Sequence, residues 1–200
     1  MARIEHELGV RSTYYFRSKL PSYSESAIRS IHSLGHEIGY HYECLSDTRG
    51  DHAAAWDLFR ANLRRFDFIG GVRTIAMHGR PLSPHDSRDL WQYYDYRDAG
   101  ILREAYLDVP WTQYAYLTDT GGAWDSESNV RDRPLSSCDP GPSVHGTAEL
   151  AAILVQSPLC AMISIHPERW AGSLPGWLQS RATDHAINQV KRLIRTGGGR

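Results

Sequence analysis

The repeated switch between two hydrophobic periods most constrains what this chain can fold into. "VRSTYYF" (10–16) is rich in β-branched and aromatic residues and reads as a strand. "SESAIRSIHSLG" (24–35) reads as a helix, with Ile28 and Ile31 on one face between a capping Ser24 and a terminating Gly35. The strand "HEIGYH" follows, then a helix over roughly 52–67 whose Trp56, Phe59, Leu63 and Phe66 form a stripe, then the strand "RTIAMH" (73–78). "AYLDV" (105–109) and "YAYLT" (114–118) read as two further strands, and a helix capped by Thr147 leads into "CAMISIH" (160–166). Ile4 and Leu8, closed by Gly9, mark the end of an opening helix, and a final helix is expected over about 177–195. Six strands with helices between most of them predict a mainly parallel α/β fold. No linker or internal repeat interrupts the 200 residues, and 41% hydrophobic content suffices for one core, so a single domain over 1–200 is expected.

Composition narrows the function classes. The 22 basic and 23 acidic residues are scattered, which leaves no electrostatic footprint for nucleic acid or an anionic membrane. No apolar run approaches the roughly 20 residues of a membrane span, so no membrane insertion is expected. Cys44, Cys138 and Cys160 are odd in number and form no CxxC pair, which points away from a disulfide framework or thiolate zinc site and toward a reducing, cytoplasmic setting. Ten His, with many Trp and Tyr, are side chains that line polar pockets and sugar-binding clefts.

Four strands end alike: "GYH" at His41, "AMHG" at His78, "YLTDTGG" at Asp119 and "SIHP" at His166. In a parallel barrel the carboxyl ends of the strands share one face, where active sites are built. A single His at a strand end is more often a hydrogen-bonded structural residue. Imidazoles together with a carboxylate suit a divalent cation such as zinc, and also general acid/base work near neutral pH.

"GVRSTYYF", "AIRSIHSLGHEIGYH" and "ISIHP" together resemble the polysaccharide deacetylases, a family of carbohydrate esterases. The similarity is greatest to a divergent branch associated with surface-polysaccharide biosynthesis, in which "GYHYE", "MHG", "YLTDTG…W" and "HPERW" also occur in this order. The resemblance spans about residues 4–170. It implies a distorted seven-stranded TIM-type barrel, a carbohydrate substrate, a divalent metal, most simply zinc, and removal of an N- or O-acyl group. The family's first strand carries an Asp-rich motif that this chain lacks. Six strands are therefore expected here, the barrel being incomplete at its N-terminus, and such a chain is expected to be inactive or nearly so.

On this resemblance His166 is the catalytic His and Asp119 the group that orients a neighbouring His, although Asp119 also reads as a loop-capping turn residue. Where typical members carry a second His four residues after the first, this chain has Leu45 after His41. His41, His78 and Glu43 are then the expected metal ligands. Arg169, Trp170 and Trp124 are the expected substrate-binding residues, with a surface pair between Glu168 and Arg169, and Trp lids, as the plainer alternatives. His36 precedes its strand and reads as structural. The alternative to a metal-dependent hydrolase is an altered barrel that binds a glycan or sugar nucleotide.

Overall fold

The computed structural model describes residues 1–80, 83–120, 146–156 and 159–170, together with positions 124, 134, 142, 144, 173–176, 178–179 and 182. The chain divides into two compact units, Met1–Asp108 and Val109–Arg200. Most of the helix expected over 177–195 and most of the loop after Asp119 lie outside the described residues.

The first unit opens with α1 (Ala2–Glu7), ended at Gly9 with φ of 72°, followed by β1 (Thr13–Phe16) and α2 (Glu25–Ser33). Ser24 caps α2 by accepting from the Ala27 N–H at 3.4 Å, and Gly35 after it adopts φ of 85°, a left-handed conformation that favours glycine. β2 (Glu37–Tyr42), the short α3 (Cys44–Asp47) and α4 (His52–Leu63) come next. Asp51 caps α4 through the Ala54 N–H at 3.0 Å. A 3₁₀ turn over Arg64–Ile69 replaces the end of the helix expected to reach 67, and β3 (Thr74–Met77) follows.

β1, β2 and β3 pair in parallel in that order, and the two-residue β4 (Arg103–Glu104) pairs parallel to β3. Strand alternation sends Ile38, Tyr40 and Tyr42, with Ile75 and Met77 in register, to one face. That face is sealed by Ile28, Phe59, Phe66 and Leu90, all fully buried. The polar tips of its tyrosines find partners, as buried hydroxyls must: Asn62 donates to Tyr40 Oη at 2.8 Å and the Trp91 indole to Tyr42 Oη at 2.7 Å. The opposite face carries Tyr15, Gly39, His41, Thr74 and Ala76. A Cβ at Gly39 would collide with the Tyr15 ring, which is why this position of "GHEIG" has no side chain.

The second unit contains β5 (Ala115–Thr118), α5 (Thr147–Gln156) and β6 (Ala161–Ser164), with β5 and β6 paired in parallel from Ala115↔Ala161 to Thr118↔Ser164. Leu117, Trp124, Val144 and Leu150 form its core.

The expected seven-stranded TIM-type barrel is overturned. The six described strands form a four-stranded parallel sheet and a separate two-stranded one, so the α/β class stands and the barrel does not. One cause is visible at 105–109, where a strand was expected. The Glu104 carboxylate accepts from the backbone N–H groups of Tyr106 at 2.6 Å and Leu107 at 2.9 Å, and Asp108 Oδ2 accepts from the Glu104 N–H at 2.6 Å. Side chains that capture local backbone donors curl the segment into turns and override the β-propensity of "AYLDV".

Candidate functional site

Each unit presents polar residues just beyond the carboxyl ends of its parallel strands, the edge at which open α/β sheets place ligands. In the second unit the register decides the geometry. Thr118 lies opposite Ser164, and the Asp119 N–H continues the ladder by donating to Ser164 O at 3.2 Å, so Asp119, one residue past its strand, comes within reach of His166, two residues past the other. His166 Nδ1 lies 2.7 Å from Asp119 Oδ1, and the His166 backbone N–H donates to the same carboxylate at 3.2 Å (Oδ1) and 3.0 Å (Oδ2). An ionised carboxylate only accepts, so Nδ1 carries the proton and the imidazole is fixed in that tautomer. Thr120 Oγ1 is 3.5 Å from the same nitrogen. Asp119 is 8% exposed, which removes much of the competing water.

The turn Pro167–Arg169 then returns the chain over this pair, its Arg169 N–H bonding His166 O at 2.9 Å. It brings Trp170 to Asp119, and the indole N–H donates to Oδ2 at 3.0 Å. Trp170 is 46% exposed and meets the Trp124 ring at 6.5 Å, edge to face. Trp124 itself is buried in the core, with its indole N–H on Thr147 Oγ1 at 3.1 Å, and Arg169 is half-buried.

In the first unit His41 and His78 stand at the tips of β2 and β3 with ring centroids 4.8 Å apart and planes at 76°. His41 Nδ1 is 2.9 Å from Ala76 O, an acceptor, which fixes the proton on that nitrogen. Glu43 follows β2, 3% exposed, and its Oε1 receives Arg17 Nε at 2.9 Å and Nη2 at 2.5 Å, with Lys19 Nζ 3.3 Å away. Arg80 Nε lies 3.7 Å from Oε2, and Asp47 Oδ1 joins the network through Lys19 at 2.5 Å and Arg80 at 3.0 Å. Burial works to raise the Glu43 carboxyl, but the Arg17 hydrogen bond and the charges of His78, Arg17 and Lys19 outweigh it and hold the group below its ordinary value.

This arrangement does not fit the expected metal. Among the described residues no group of three or more His, Cys, Asp or Glu side chains could hold an ion. Glu43 lies among three cationic side chains that would repel a divalent cation, and its Oε1 is already taken by a guanidinium. His36 is buried at 3% exposure, accepting from the Ser12 N–H at 3.2 Å on Nδ1 and facing Ala2 O at 2.9 Å from Nε2.

Two features escaped sequence reasoning. Arg17 and Lys19 follow β1 and Arg80 follows β3, so strand-tip logic applied to cations would have found the network around Glu43. Glu104 is fully buried, and its carboxylate oxygens accept from Tyr42 Oη and the N–H groups of Met77, Tyr106 and Leu107. Burial pushes its carboxyl up to about 7 despite those donors. No sequence pattern announces it.

No protein-family model, curated protein or solved structure gives a significant match to this chain. The likeness to polysaccharide deacetylases stands on the quoted motifs alone.

Proposed function

We propose that this chain is a carbohydrate-directed hydrolase that removes an acyl group, with Asp119 and His166 as its acid/base couple. The observation that carries the reading is the 2.7 Å contact between His166 Nδ1 and Asp119 Oδ1, in a carboxylate otherwise satisfied by N–H donors. With Nδ1–H committed to the carboxylate, Nε2 carries the lone pair that exchanges protons. It takes one from water as the water oxygen attacks the acyl carbon, and Asp119 stabilises the imidazolium so formed. The imidazolium then returns that proton to the departing sugar nitrogen or oxygen as the carbon–heteroatom bond breaks, giving a carboxylic acid and a free amine or hydroxyl. No step passes through a metal, because the donor set offered by His41, His78 and Glu43 does not suit one. A cytoplasmic setting belongs to this reading and is supported by the free thiols of Cys44 and Cys160. Among the described residues no helix is long and apolar enough to cross a membrane.

The inactivity expected of a barrel without its first strand does not carry over to a chain built on two parallel sheets, and the test is acetate release from N- and O-acetylated sugars by the purified protein and by His166→Ala. Release that depends on His166 supports the reading, and release that survives the substitution removes it. A second reading, a glycan or sugar-nucleotide binding module, is favoured by one observation: Glu43, an expected metal ligand, is ion-paired instead. Sugar binding without turnover, unaffected by chelator and by His41→Ala, would select it.

A further inference from the structure

We infer that Trp170 is a positioning residue for the Asp119–His166 pair, its indole N–H holding one carboxylate oxygen so that the other faces the imidazole. A carboxylate at the end of a strand can rotate about its Cβ–Cγ bond, and either oxygen can then meet a nearby ring. Here Oδ2 takes the Trp170 indole N–H at 3.0 Å and shares the His166 backbone N–H at 3.0 Å, while Oδ1 meets Nδ1 at 2.7 Å. Hydrogen bonds to an ionised acceptor are roughly twice as strong as neutral ones, and groups that orient a functional carboxylate act through such bonds.

The simpler account of a tryptophan is burial of its ring, and it does not suit this one. Trp170 leaves 46% of its surface exposed, whereas Trp124, which does serve the core, leaves 5%. The indole is placed by two features that fix its edge. The turn Pro167–Arg169 closes with the Trp170 N–H on Pro167 O at 3.1 Å, and Trp124 packs against the ring at 65° between planes. A sugar-stacking platform needs an exposed ring but no particular direction for its N–H. The N–H here is directed at the acid of the pair.

The inference takes from the proposed function the pairing of Asp119 with His166, but its tests need no turnover. In Trp170→Phe the donor that holds Oδ2 is gone and the carboxylate turns about its Cβ–Cγ bond, so Oδ1 no longer faces the ring squarely. Less negative charge then meets the imidazole, and the imidazolium is less stabilised. His166, identified by loss of its NMR signal in His166→Gln, is expected to release its proton at a pH lower by about half a unit or more in Trp170→Phe. An unchanged or raised titration overturns the inference. Should the variant fold poorly, the wild-type protein gives the answer: the Trp170 indole proton resonance shifts through the same midpoint as His166, and the shift is lost in Asp119→Asn. An indole resonance that ignores the His166 titration also overturns it. If no acetate is released while the two titrations coincide, the hydrolase reading fails and the positioning role of Trp170 stands.

Discussion

Glu43 and Asp119 occupy equivalent places in their two sheets, yet their surroundings differ in kind. Each follows the carboxyl end of a parallel strand, each is buried, at 3% and 8% exposure, and each has a histidine at a neighbouring strand tip. Glu43 is tied by direct contacts to fixed charge on Arg17, Lys19 and Arg80, and His78 acts on it through space, with no hydrogen bond as strong as the Arg17 pair. Asp119 is compensated by N–H donors and by one imidazole whose charge can come and go. A carboxylate paired to guanidinium is locked, because Arg does not release its proton in the accessible range. A carboxylate paired to histidine leaves a titratable partner, and that difference separates a structural tie from an acid/base couple.

The comparison breaks most visibly in turnover. His166→Ala is expected to lower acyl release by about 10²–10⁴-fold, the range for losing a positioned acid/base group. Asp119→Asn is expected to lower it by a smaller factor within that range, because an amide can leave the imidazole in the wrong tautomer while the ring remains. Initial rates of acetate release check both, and equal activity in all three proteins would place Asp119 with Glu43 as a structural carboxylate.

Glu104 sharpens the contrast from a third side, as a buried carboxyl met by hydroxyl and N–H donors. Its Oε1 accepts from Tyr42 Oη at 3.1 Å and the Met77 N–H at 3.1 Å, and its Oε2 from two further N–H groups. In Glu104→Gln one of those oxygens becomes an NH₂ facing donors. A loss of about 2–3 kcal/mol in urea unfolding is expected, the cost of buried groups left unsatisfied. The pH dependence has a definite sign. Burial raises this carboxyl from 4.5 to about 7, so its contribution to stability is fully present below 4.5 and is lost as pH rises through 7. Wild-type stability is expected to decline across that window, and Glu104→Gln to flatten the decline. A wild-type profile that rises from pH 4.5 to 7 would show that the four donors outweigh burial.

The alternation of strands and helices was legible in the residues, and β1, β2, β3, β5 and β6 lie where periodicity and strand-forming residues placed them. The segment 105–109 was misread because its conformation is set by the carboxylates of Glu104 and Asp108, which compete for backbone donors in a way no hydrophobic pattern records. The division into two sheets was equally hidden, since a strand's period fixes which face is apolar but not which strand it pairs with. At the site, "YLTDTGG" and "SIHP" marked Asp119 and His166 as strand tips, and the register brought them together. The partner of Glu43 was not legible as a pair, because Arg17 lies 26 positions away and only the parallel pairing of β1 with β2 makes them neighbours. Trp170 was read for its ring, whereas the structure uses its N–H.

Glu43 itself contributes with the opposite sign to Glu104. Its carboxyl is held below the ordinary value, so its stabilisation is present above that value and is lost as pH falls through the folded one. Glu43→Gln is expected to cost about 1–2 kcal/mol at neutral pH and progressively less in acid. The modest size follows from the partners, since Lys19 and Arg80 keep 41% and 44% of their side-chain surface in water and are readily resolvated when the carboxylate is gone. A cost above 3–5 kcal/mol would mean that the cations are stranded as a buried pair's partner is.

The smallest effect is expected at the rim of the same network. Lys19→Met removes the 2.5 Å contact to Asp47 Oδ1, but Asp47 keeps Arg80 at 3.0 Å and Glu43 keeps Arg17. A half-exposed ammonium gives back in hydration most of what it gains in pairing, so a change under about 1 kcal/mol is expected. Ionic strength separates this from packing by the lysine stem. At 1 M salt the Debye length is about 3 Å, and a charge contribution shrinks while a packing contribution persists. If the Lys19→Met difference survives high salt undiminished, the network around Glu43 is held by contact rather than by charge. Glu43 and Asp119 would then differ in how they are packed rather than in the kind of charge that meets them.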